Sequence, residues 1–154
     1  MMIGHPPCTD LACSGAKHFY RKAKQQDEGI WFVAQLMFAR IPKICIENPV
    51  GIISSRIKPP DQIIQPYDFG EPYQKTTCLW LKNLPTLKPT TMDAPLFGEH
   101  INKGEFHITS GGKKLPQWYE DSRKDSNKNR SRTFPGIARA MAEQWGNLSE
   151  VNAA

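Results

Sequence analysis

The sequence predicts an α/β fold with a strand–helix–strand core, a β-hairpin, a loop-rich insertion and a C-terminal helix. Three observations carry that expectation. A short apolar run, Met1 to Gly4, stops at His5-Pro6-Pro7 and reads as a strand opening into a loop, because prolines cannot continue a hydrogen-bonded ladder. A long segment with helical periodicity follows. After it, Lys43-Ile44-Cys45-Ile46 forms a compact β-prone run ending at Glu47-Asn48-Pro49. Strand, helix and strand in that order argue a βαβ unit with parallel strands and a right-handed crossover.

Each element has its own signal. Ser14-Gly15 punctuates the first loop, and the helical segment runs from about Ala16 to Ala39. Its residues Ile30, Val33, Ala34, Met37 and Phe38 recur at spacings of three, four and seven, an amphipathic stripe. Gly29 is the expected break into two helices. Gln62 to Gln65 and Thr76 to Leu81 read as two further strands, joined through the turn-rich Pro66-Tyr67-Asp68-Phe69-Gly70. From Pro85 to about Arg130, prolines, Gly111-Gly112 and a charged tract predict loops with little regular structure. Good helix formers from Ile137 to Trp145 follow Pro135-Gly136, and Gly146 is placed to end that helix. The expected division is 1–85 for the α/β core, 86–130 for a basic insertion and 131–154 for a helix packing back on the core. At 154 residues this is one domain.

Composition narrows the partners. Hydrophobic residues are 39% and charged residues 23%, which argues against wholesale disorder. A net charge of +5 and a pI near 9.1 favour a polyanion, most commonly nucleic acid. No stretch approaches the roughly 20 apolar residues of a membrane span. The N-terminus lacks the basic and apolar regions of a secretion signal, so the expected location is the cytoplasm, with no membrane partner. Cys8, Cys13, Cys45 and Cys78 form no CxxC pair, and reduced thiols are expected there. Cys45 and Cys78 read as buried strand residues. A metal module built on His5, Cys8, Cys13 and His18 is an alternative, but the spacing fits no common zinc pattern.

Two residues could do chemistry together. Cys8 follows two prolines at a strand end, where a stiff loop holds a nucleophile for a defined approach. Glu47 closes the neighbouring strand at the same end of the sheet, and adjacent strands lie about 4.8 Å apart. A thiol beside a carboxyl group fits covalent attack on an electron-poor ring, with the acid protonating a ring nitrogen. Otherwise, Glu47 caps a loop or pairs with a lysine. The cluster Arg123, Lys124, Lys128, Arg130 and Arg132 reads either as a solvated surface loop or as a DNA-backbone contact.

His5-Pro6-Pro7-Cys8 with Thr9-Asp10-Leu11 resembles the Pro-Cys loop of DNA cytosine-5 methyltransferases, and Glu47-Asn48-Pro49 resembles their Glu-Asn dipeptide. More closely, the chain resembles a phage and prophage family described as cytosine methyltransferase-like. That resemblance continues through Asp61 to Pro66, Phe69-Gly70, Lys75, Thr77 to Pro85 and Ser131 to Ala138. It covers nearly everything except about Thr90 to Arg130. It implies a partial Rossmann-like methyltransferase sheet in which Cys8 adds to C6 of a flipped cytosine and Glu47 holds N3. The methyl donor would be S-adenosylmethionine. Pro7, Asn48, Pro49 and Lys75 would bind the substrate, and Ser131 and Thr133 would return to the cofactor.

The chain departs from the family in one respect. It begins at what resembles the fourth strand and lacks the glycine turn between strand and helix that cradles the cofactor. The first strand is therefore expected to expose an edge that recruits a partner chain or a second copy. A non-catalytic, DNA-binding or interaction remnant of the same fold is the competing expectation.

Overall fold

The computed structural model describes residues 1–91, 100–119, 133–146 and 148, with the side chain of residue 18 excepted. These residues fall into two compact units. The first comprises Met1–Ile64 and Thr76–Thr86; the second is formed by Gln65–Lys75 and the chain from Leu87 onward.

The first unit is built on a four-stranded mixed sheet. Strand β1 (Met2–Gly4) leads through a 3-10 segment (Cys13–Arg21) into helix α1 (Ala23–Met37) and strand β2 (Ile44–Pro49). A short helix α2 (Ile53–Arg56) precedes β3 (Gln62–Ile64), and β4 (Thr77–Lys82) completes the sheet. The order is β1-β2-β4-β3. β1 and β2 are parallel, as the strand–helix–strand pattern predicts, while β4 runs antiparallel to both β2 and β3.

One face of this sheet makes the core. Alternation along β2 and β4 sends Ile44, Ile46, Cys78 and Trp80 to the same side, where they meet Val33 of α1, Ile53 of α2 and Leu11. Gly4 leaves room for the Ile46 side chain, since a methyl group there would sit 2.9 Å from Ile46 Cδ1. Trp80 fills the core and donates its indole N–H to the Lys58 carbonyl at 2.9 Å.

The helical segment breaks at Lys22 rather than at Gly29. Lys22 leaves helical geometry (φ −123°, ψ 20°), whereas Gly29 lies inside α1. A methyl group at Gly29 would press on Leu11 Cδ2 at 3.0 Å, so this glycine makes room for a core side chain instead of ending a helix.

In the second unit, a two-stranded hairpin, β5 (Phe106–Ile108) and β6 (Lys114–Pro116), lies in the region expected to be loop. Gly112, at φ +75°, sits in its turn. Helix α3 (Pro135–Gly146) packs on the 3-10 segment Pro66–Phe69. The Gly136 amide at its start donates to Glu71 Oε1 at 3.0 Å, and a methyl group at Gly136 would meet the Phe69 carbonyl. Near its end, Gln144 clamps both backbone groups of Lys88 at 2.8 Å. Among the described residues, no helix is long and apolar enough to cross a membrane.

Candidate functional site

The carboxyl ends of β1 and β2 open into two loops stitched to each other. After β1, the Cys8 carbonyl accepts hydrogen bonds from the Leu11 and Ala12 amides at 3.1 and 2.9 Å, which closes a turn directly behind the cysteine. The Cys13 amide then donates to Val50 O, and the Ile52 amide to Leu11 O, each at 2.9 Å. Between them, Ala12 and Gly51 form an isolated antiparallel bridge. Gly51 is required by this approach: a methyl group there would fall 2.1 Å from the Leu11 carbonyl oxygen.

Asn48 provides the second tie. Its side chain is 1% exposed and donates Nδ2–H to the Pro6 carbonyl at 2.8 Å. Asn48 thus holds the Pro-Pro-Cys loop against β2. Its Oδ1 is buried with no hydrogen-bond partner among the described residues.

Glu47 lies within β2 rather than after it, because the strand continues to Pro49, opposite Thr77. On the other side, the β1 register ends at Gly4 opposite Ile46, so His5 comes next to Glu47. The pair is joined: His5 Nδ1 is 2.6 Å from Glu47 Oε2, with the side chains 40% and 14% exposed. Glu47 thus pairs with a histidine rather than the lysine weighed from the sequence. Cys8 is half-buried and Pro7 exposed on the loop, and Pro49 is half-buried at the strand end. A groove of about 280 Å³ adjoins this loop, lined by Pro6, Pro7, Asp10, Leu11, Gly29 and Phe32 among others.

The remaining thiols separate clearly. Burial pushes the Cys45 thiol up to about 12, with a further push from the nearby Glu47 charge. Cys78 is also raised, by burial first and then by Cys13 and Glu47. Both are buried strand residues, while Cys13 is exposed. Among the described residues, no group of three or more His, Cys, Asp or Glu side chains is placed to hold a metal ion.

Lys75 belongs to the second unit, where its ammonium lies 5.4 Å from the Trp118 ring centre and 5.6 Å from that of Phe134. Tyr73 stacks at a tilt on Phe134 at 5.7 Å, and Trp118 donates to the Gln74 carbonyl at 2.6 Å. Thr133 is half-buried just before α3. Ser131 and the basic cluster Arg123, Lys124, Lys128, Arg130 and Arg132 lie outside the described residues.

Among the described residues, the glycines with positive φ are Gly70, Gly104 and Gly112. They close a 3-10 segment, pack on Pro72 and turn the β5–β6 hairpin, and none joins a strand to a helix. Two features of this site escaped the sequence reading: His5 entered as a metal ligand and within the Pro-Cys loop resemblance but not as the partner of Glu47, and Gly51 carried no motif. Comparison with known protein families, curated proteins and solved structures finds no match to this chain.

Proposed function

We propose that the first unit performs the base-attacking step of a DNA cytosine-5 methyltransferase-like reaction. The Cys8 thiolate adds to C6 of a cytosine turned out of its helix and forms an S–C6 bond. The C5–C6 electron pair is displaced toward C5 and the ring nitrogen, and Glu47 hydrogen-bonds or protonates N3 to ease that addition. Elimination reverses each movement and frees the thiol. The observation that carries this reading is the tie between the two loops, in which Asn48 holds Pro6 while its neighbour Glu47 sits at the same sheet end. The carboxyl end of parallel strands is also where open α/β sheets of the Rossmann-like kind place their ligands.

The reading extends to partners. DNA is the substrate, with Pro7 and Pro49 as candidate contacts in the first unit and, separately, Lys75 as a candidate contact in the second. Among the described residues β1 is an edge strand, and its outer side is the place where a partner chain or second copy would add a strand. The net charge of +5 also suits a second reading, a DNA-binding remnant of the same fold without chemistry.

The test needs no methyl donor. Addition and elimination at C6 make C5 exchange its hydrogen with solvent. The chain is incubated in deuterated buffer with a pool of cytosine-containing DNA of random flanking sequence. Deuterium at C5 that is absent with Cys8→Ala supports the reaction; DNA binding with no exchange favours the remnant.

A further inference from the structure

We infer that His5 is a positioning residue for Glu47, holding its carboxylate and replenishing the proton that Glu47 passes to the base. This inference rests on the functional reading above and gives a role to His5, to which that reading assigned none. The separation of 2.6 Å between Nδ1 and Oε2 is a little shorter than the roughly 2.7–2.9 Å of charge-assisted N–H···O hydrogen bonds. It is set by the sheet rather than by a chance rotamer. Gly4 pairs with Ile46, so His5 and Glu47 follow as neighbours whose side chains leave the sheet on the face opposite Ile46.

The histidine backbone is restrained from both directions. Pro6 restricts the preceding residue to extended conformations, and the Pro6 carbonyl is itself held by Asn48. Exposure is graded along the pair, with imidazole toward solvent and carboxylate inward. Glu47 adds to the upward push on the Cys45 and Cys78 thiols, which burial keeps neutral, so neither places a second negative charge beside it. Among the described residues, His5 is the cation-capable group paired with Glu47.

The proton balance is simple. As the S–C6 bond forms, N3 becomes more basic; the Nδ1 proton of the His5 imidazolium passes to the Glu47 carboxylate, and the carboxyl group so formed passes its own proton to N3, leaving a neutral imidazole and an ionised carboxylate. On elimination the proton returns by the same path, and nothing is oxidised or reduced.

Two measurements on the full chain test this. In the first, nitrogen NMR follows the His5 imidazole through a pH titration, in the wild type and in Glu47→Gln. The expected result is an imidazole that holds its proton about one pH unit higher beside the intact carboxylate, a tenfold change in proton affinity. In the second, C5 deuterium exchange is recorded against pH for His5→Asn, which retains a donor but cannot release a proton. Exchange is expected to fall about tenfold and lose the pH dependence contributed by the imidazole, with DNA binding unchanged. A His5→Asn chain with the wild-type pH profile overturns the inference, as does an imidazole indifferent to Glu47→Gln. A wild-type chain that never exchanges C5 hydrogen overturns the functional reading and the proton transfer with it. The NMR arm distinguishes that failure from a missing His5–Glu47 pair.

Discussion

Replacing Gly51 with alanine probes the joint between the two loops. The added methyl group would lie 2.1 Å from Leu11 O, 2.8 Å from Leu11 C and 3.0 Å from Ala12 Cα, all backbone atoms that cannot rotate away. Relief requires the loops to part, which breaks the Cys13–Val50 and Ile52–Leu11 hydrogen bonds. Two such bonds contribute about 1 kcal/mol each, and residual overpacking adds about 1 kcal/mol. Alanine restricts the unfolded chain and returns about 0.5–1 kcal/mol. The net loss is therefore about 2 kcal/mol, or roughly 4–8 °C in melting temperature for a chain of this size. Thermal melts and amide exchange at Cys13 and Ile52 measure it, with Gly111→Ala, where a methyl group meets open space, as the control. A Gly51→Ala chain that melts within 1 °C of wild type, with both amides still protected, refutes the reasoning.

Other outcomes follow from the same geometry. Asn48→Asp places a carboxyl group against the Pro6 carbonyl in a buried site, so its folded-state pKa rises above the unfolded value. The stability of that variant is then greatest below the unfolded carboxyl range and is lost as pH rises through the folded value, as urea midpoints at pH 4 and pH 8 would show. Brief alkylation near pH 8 followed by mass spectrometry should label Cys8 and Cys13 and spare Cys45 and Cys78, because the buried pair stays protonated as well as hidden. Lys75→Met removes a charge lying against two rings, each contact contributing about 0.5–1 kcal/mol at a partly exposed site. A fluorescence-detected melt of Trp118 should show the loss. For Asp61, burial alone would push the carboxyl up, but the hydrogen bonds from Lys58 and the Leu81 amide hold it below its ordinary value. Its contribution is present at neutral pH and disappears as pH falls through that lowered range, so Asp61→Asn should flatten the acid limb of the stability curve.

The sheet of the first unit was largely readable from the chain because its strands are continuous apolar runs and α1 carries a stripe of core residues. The β5–β6 hairpin was not, since each strand is three residues long and the Gly111-Gly112 turn resembles any loop. Local propensity also misplaced the helix break, because the cost of glycine in a helix is offset by a tertiary contact with Leu11 that no local pattern reveals. At the candidate site, Cys8 and Glu47 stood out as chemical types at strand ends. The His5–Glu47 pair spans 42 positions and follows from strand register, which sequence alone left open.

The stitching of Leu11 and Ala12 to Gly51 and Ile52 has a kinetic consequence. Closing a loop of about 40 residues costs roughly 3 kcal/mol in chain entropy, and that cost is met only once α1 and β2 have docked. The turn behind Cys8 can form locally, but its tie to the second loop cannot. Refolding should therefore order the surroundings of Cys8 late, so that partly folded chains carry a thiol without a defined neighbour. A time course of Cys13 and Ile52 amide protection during refolding would trail that of the α1 amides.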